Sequence, residues 1–220
     1  MPFATEKFIA LRPFAYHLTE RSNLPSILEE GSLRSAAHWI EAAGREDLEA
    51  SQRTECRRVV ARGREIHLRD QKPLFEKNID LRAGWTYADL VRHLNRHVFF
   101  WPGGASSVDE YCRRYHRCYS PGDIVILRLE TAALFAANAP RQPLFCPFNS
   151  GAPGGRRGPV PRGPDLFLPA GEFARTAAAA KELVFEDFAR LPGRLEVASD
   201  LEGPWRAARL KSLRPAGEIG

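Results

Sequence analysis

Phe14-Ala15-Tyr16-His17-Leu18-Thr19, followed by Asn23-Leu24-Pro25-Ser26-Ile27-Leu28 and closed by Gly31-Ser32-Leu33, decides how the rest of the chain is read. Side chains of an extended segment alternate between two faces, so His17 and Thr19 share one face while Tyr16 and Leu18 share the other. Leu24, Ile27 and Leu28 then recur at helical spacing, and Gly31 stands where a helix ends on a left-handed residue. The stretch reads as a strand carrying a polar pair, a tight turn and a short amphipathic helix.

Outward from this stretch, residues 35–51 carry Trp39, Ile40, Ala43 and Leu48 at a loose helical period, and residues 55–64 continue as polar, partly exposed helix. Residues 65–71 alternate as a short strand ended by Pro73. Thr86 with Asp89 three positions on forms the start of a helix that runs to about Arg96. His97-Val98-Phe99-Phe100-Trp101 is a dense aromatic strand broken at Pro102-Gly103-Gly104. Residues 107–119 read as a helix with a basic face, and residues 123–129 as a buried strand. From 140 to 169 prolines and glycines dominate, and a long loop is expected. Glu182-Leu183-Val184-Phe185 is the final strand, and the tail beyond Ser199 reads as weakly structured. Strands separated by helices and long loops predict an α+β fold, with a single domain over residues 1–213 and a flexible tail over 214–220.

At 220 residues and 44% hydrophobic, the chain can bury one sizeable core. No window is apolar enough to cross a bilayer, and a basic-then-apolar leader is lacking, so a cytoplasmic protein with no membrane partner is expected. Cys56, Cys112, Cys118 and Cys146 lack paired spacing and read as thiols in a reducing compartment, with no metal. The net charge of +5 is carried mainly by arginine, in clusters at 57–64, 113–117 and 156–162. Such a surface suits a nucleic acid or a phosphorylated ligand; an arginine-rich proteome would show it too, and the charge favours nucleic acid only weakly.

The opening motif closely resembles the first motif of ADP-ribosyltransferases, above all the DarT-type DNA ADP-ribosyltransferase toxins. The resemblance extends over residues 14–33, 63–102 and 177–192. It implies an ADP-ribosyltransferase-like split central β-sheet with flanking helices and long loops. It further implies an NAD-dependent mono-ADP-ribosyltransferase that modifies a nucleic-acid base, DNA or RNA, as a bacterial toxin or defence effector with a macrodomain antitoxin as partner. NAD is then a co-substrate and no metal takes part.

Breaking the nicotinamide–ribose bond passes through an oxocarbenium-like state, as at a glycosidic bond. A carboxylate beside the ribose, a cation on the pyrophosphate and an aromatic wall on the nicotinamide are what this chemistry asks for. By resemblance, His17, Leu18 and Thr19 hold the nicotinamide ribose, with the Leu18 backbone on the carboxamide. Arg69 takes the phosphates, and Phe99, Phe100 or Trp101 the ring. Alternation puts Phe100 with Val98 and Phe99 with Trp101, without saying which pair meets the ligand. Glu182 matches the catalytic glutamate just inside the last strand. Glu186 shares its face by parity and stays open as a rival. Asn149, Arg156, Arg157 and Arg162, in the loop before Glu182, are expected to contact the acceptor; a flexible insertion would have the same composition. Two other classes stay open, a catalytically silent nucleotide- or nucleic-acid-binding module and a protein-directed transferase. A two-metal nuclease lacks its cluster of acids.

Overall fold

A computed structural model describes residues 3–72, 74–104, 110–118, 123–152 and 158–211. Its strands are β1 (Phe14–Glu20), β2 (Ser32–Arg34), β3 (Arg57–Ala61), β4 (Arg64–Leu68), β5 (Ile79–Leu81), β6 (His97–Gly103) and β7 (Ile124–Glu130). They continue with β8 (Leu144–Cys146), β9 (Val160–Arg162), β10 (Leu168–Pro169), β11 (Glu182–Glu186), β12 (Phe188–Arg190), β13 (Arg194–Ala198) and β14 (Arg206–Arg209). The helices are α1 (Thr5–Leu11), α2 (Leu24–Glu30), α3 (Ala36–Ala42), α4 (Tyr87–Asn95), α5 (Glu110–Arg117) and α6 (Thr131–Asn138). The architecture is mixed α+β.

Eight strands form one antiparallel sheet in the order β10-β8-β11-β6-β1-β7-β13-β14. Its two halves meet along a short seam. β1 pairs with β7 over its whole length but with β6 only through Phe14↔Gly103, Ala15↔Pro102 and Tyr16↔Trp101. Past Tyr16 the strands part, and β6 turns its other end, His97 to Phe100, to β11.

Alternation along the strands sorts the core into layers. Val98, Phe100, Leu127, Leu129, Phe145, Leu183 and Phe185 face one side, where Phe8 of α1 and Leu134 of α6 cover them. On the other side, Tyr16, Leu18, Trp101, Ile124 and Ile126 pack with Cys112 of α5, while Cys146 and Val184 pack beneath Leu90, Val91 and Leu94 of α4. These two clusters lie on opposite flanks of the parting between β1 and β6.

Local signals explain most boundaries. Gly31 ends α2 at φ 62, and Thr86 and Asp89 form a reciprocal capping box on α4. Residues 55–64 are not the expected helix. They supply β3 and the turn of a hairpin with β4, because Arg62 and Gly63 both take positive φ (54 and 73) and turn the chain back. Val59, Ala61, Ile66 and Leu68 point from this hairpin onto Trp39 and Ile40 of α3. The expected loop at 140–169 holds β8, β9 and β10, and β12, β13 and β14 follow what was expected to be the final strand. Within the stretch beyond Ser199, β14 closes the sheet edge against β13, while residues 214–220, expected as a flexible tail, lie outside the described residues.

Candidate functional site

Where β1 and β6 part, a cleft opens, roofed by α2, α3, the β3–β4 hairpin and the end of α4. His17 spans the parting, with Nδ1 2.8 Å from the Phe99 carbonyl oxygen. A carbonyl oxygen only accepts, so Nδ1 carries the proton and Nε2 is the acceptor nitrogen. Burial, aided by the positive charge of Arg69, pushes the His17 pKa down to about 4 despite that hydrogen bond. The ring is therefore neutral at pH 7.

Asn23 fastens the roof to β1. Its side-chain amide donates to the His67 carbonyl (2.9 Å) and accepts from the His67 N–H (3.0 Å), and it also donates to Thr19 Oγ1 (3.3 Å). The residue after β4 is thereby brought to the cleft. That residue is Arg69, whose guanidinium lies 4.9 Å from the centre of the Tyr115 ring.

A buried network sets the Arg69 backbone. Arg53 Nε donates to the Arg69 carbonyl (2.8 Å), and its terminal nitrogen donates to Asn95 Oδ1 (2.8 Å). Gln71 Oε1 accepts from the Arg53 N–H (3.1 Å), and Gln71 N donates back to the Arg53 carbonyl (2.7 Å). Burial lowers the Arg53 pKa to about 10. Arg53, Gln71 and Asn95 all line the cleft. Sequence reasoning missed them, because a polar residue in a polar stretch gives no sign that it will be buried.

Glu182 opens β11 opposite Cys146 of β8 and is 3% exposed. Its Oε2 accepts from the Ser150 N–H at 3.1 Å. Burial raises its pKa to about 7, opposed by hydrogen bonding from Ser150 and by the charge of Arg162. Burial also pushes the facing Cys146 thiol up. Glu186, at the far end of β11, is exposed, stands 3.9 Å from Arg96 and is absent from the cleft wall.

Of the sequence-predicted residues, His17, Leu18, Thr19, Arg69, Phe99, Trp101, Asn149 and Glu182 line this one cleft. Phe100 does not. It is fully buried, edge-on to Phe185 and with its ring centre 5.6 Å from that of His17, and Phe99 and Trp101 are the aromatic residues of β6 that line the cleft. Arg162 is no surface cation awaiting an acceptor. It is 2% exposed, and its donors are turned inward to backbone carbonyls of residues 149–152 and 160–161. Arg156 and Arg157 lie outside the described residues. Among the described residues, no three His, Cys, Asp or Glu side chains group as metal ligands, and no helix is long and apolar enough to cross a membrane.

The cleft thus combines a neutral imidazole, a guanidinium, two aromatic rings and a carboxyl that titrates near neutrality. Residues 13–190, which include every one of these groups, match a family described only as a family of unknown function, DUF7002. No curated protein matches the chain.

Proposed function

The chain belongs to the DUF7002 family, whose function is unknown, and we propose that it is a mono-ADP-ribosyltransferase. In this reading it breaks the nicotinamide–ribose bond of NAD and transfers ADP-ribose to a nucleic-acid base, on a split-sheet fold of the ADP-ribosyltransferase type. One observation carries the reading: His17, Arg69, Phe99, Trp101 and Glu182, on four strands or their ends, line a single cleft where β1 and β6 part.

The bond between ribose C1′ and the pyridinium nitrogen breaks with its electron pair leaving on nicotinamide, which becomes neutral. Positive charge is left on C1′ and the ring oxygen. The Glu182 carboxylate, itself buried, stabilises that charge, and electrostatic stabilisation is stronger at a buried position than in water. An acceptor nitrogen or oxygen then bonds to C1′ and gives up its proton to the Glu182 carboxylate. His17 Nε2 accepts a hydrogen bond from a ribose hydroxyl, a role that requires the neutral ring its burial enforces. Arg69 matches the pyrophosphate with its planar fork of donors. Phe99 and Trp101 offer faces for the nicotinamide. The net charge of +5 supports a nucleic-acid acceptor.

The test is incubation with NAD labelled in the adenosine half, together with separate pools of DNA, RNA and protein. Label on DNA or RNA, with free nicotinamide, is the expected result. Label on protein would replace the acceptor class while keeping the chemistry. No nicotinamide release with clear nucleic-acid binding would overturn the enzyme reading in favour of a silent binding module.

A further inference from the structure

Arg162 is among the largest fully buried side chains, and the chemistry above gives it no part. Its guanidinium gathers one loop. Nε donates to the Ser150 carbonyl at 3.3 Å, and one terminal nitrogen donates to those of Asn149 (3.4 Å) and Ala152 (3.1 Å). The other terminal nitrogen reaches the carbonyls of Val160 (3.1 Å) and Pro161 (3.4 Å) on its own strand. The carbon of the guanidinium lies 4.3 Å from the centre of the Phe148 ring. The strand bearing it is fixed in turn, since β9 pairs with β5 and the Arg82 N–H donates to the Arg162 carbonyl (2.8 Å).

The residue between Asn149 and Gly151 is Ser150, whose N–H donates to the Glu182 carboxylate. Three of the five carbonyls on the guanidinium therefore belong to the turn that presents this N–H. We propose that Arg162 is a positioning residue for Glu182, a buried planar clamp that shapes residues 149–152 so that the Ser150 N–H stays on the carboxylate. The assignment of Glu182 as catalytic rests on the reading above, while the clamp itself rests on the hydrogen bonds.

A fan of in-plane donors is a property of guanidinium; an ammonium keeps the charge but cannot satisfy several coplanar carbonyls. Arg162→Lys therefore separates geometry from charge. The titratable groups facing Glu182 are Cys146 from β8 and Arg162 from β9, with His17 of β1 and Arg69 beyond β4 across the cleft. Losing the Ser150 N–H removes a bond that favours the carboxylate, which moves the Glu182 titration upward.

The experiment is a carboxyl ¹³C titration of the full chain labelled at glutamate Cδ, with the Glu182 signal assigned from Glu182→Gln. It is run on wild type, Arg162→Lys and Arg162→Gln, with kcat and KM for NAD measured alongside. The expected result for Arg162→Lys is an upward shift of Glu182 by about one unit. The acid limb of kcat should move with it, kcat should fall about tenfold, and KM should stay within about threefold. Should both variants fail to fold, Phe148→Leu removes the ring beneath the guanidinium and is expected to give a smaller shift of the same sign. An unmoved Glu182 titration in a folded variant overturns the clamp, whatever happens to turnover. A shifted titration in a chain that never turns over NAD keeps the clamp and removes the reading it was attached to.

Discussion

Glu182 and Glu186 share a face of β11, and parity could not choose between them. The choice is made by what surrounds each carboxyl. Glu182 sits under the 149–152 turn in the cleft, while Glu186 reaches the surface where Asp187, at φ 59, swings the chain out of the sheet and into β12. The buried carboxyl leaves a thermodynamic mark. Its folded pKa of about 7 lies above the usual 4.5, so the native state holds a proton that the unfolded state has lost between those values. Stability from this group is therefore present below about pH 4.5 and lost as pH rises through about 7. Glu182→Gln removes that loss. It should be stabilising by about 3 kcal/mol at pH 8.5 and nearly neutral at pH 4.5, read as melting temperature against pH. Equal melting temperatures at pH 8.5 would contradict a buried carboxylate. Arg69→Ala is expected to weaken NAD binding by about tenfold to a hundredfold in a direct binding titration, the scale of losing a charge-assisted pair with phosphate. At this scale the sequence shows which residue types are available. It misplaced Arg162, because a cation among prolines and glycines reads as solvent-facing until the carbonyls that surround it are known.

The β3–β4 hairpin departs furthest from what its sequence suggests. A polar, arginine-rich segment suggested helix, yet two consecutive residues with positive φ at Arg62 and Gly63 make a hairpin turn, and the alternation of Val59, Ala61, Ile66 and Leu68 seals it against α3. Only Gly63 of the pair has no Cβ to strain there, and a Cβ added to it would meet nothing within 4 Å. Gly63→Ala should thus cost about 1 kcal/mol from backbone strain alone. Amide hydrogen exchange should then speed up in β3 and β4, while β1 and β7 keep their protection. Asn23→Ala acts at the other end of the same element, where the hairpin is tied to β1. It leaves the His67 N–H and carbonyl without their side-chain partner and should cost about 1–3 kcal/mol. A chemical denaturation midpoint unchanged by Asn23→Ala would remove this tie from the account. Other elements were legible because their signals are local. The capping box of α4, the left-handed Gly31 and the aromatic run of β6 each follow from a few adjacent residues.

At the scale of the whole molecule, the cleft exists because a sheet of eight strands is zipped at its middle by only three residue pairs. That feature is nonlocal. It depends on β6 dividing its length between β1 and β11, strands more than 160 residues apart in the chain. No window of sequence contains it, which is why the motifs could be quoted in advance while their meeting place could not. The same parting brings His17, Arg69, Phe99 and Glu182 to one cleft, and the proposed function turns on whether that cleft cleaves NAD. The most direct measurement is the rate of nicotinamide release from NAD by wild type, Glu182→Gln and Glu186→Gln at pH 8, with DNA or RNA present as acceptor. Release by wild type and by Glu186→Gln is expected within about threefold of each other, with a loss of at least about a hundredfold in Glu182→Gln. Release that is unchanged in Glu182→Gln, or absent from wild type, would contradict the proposed function.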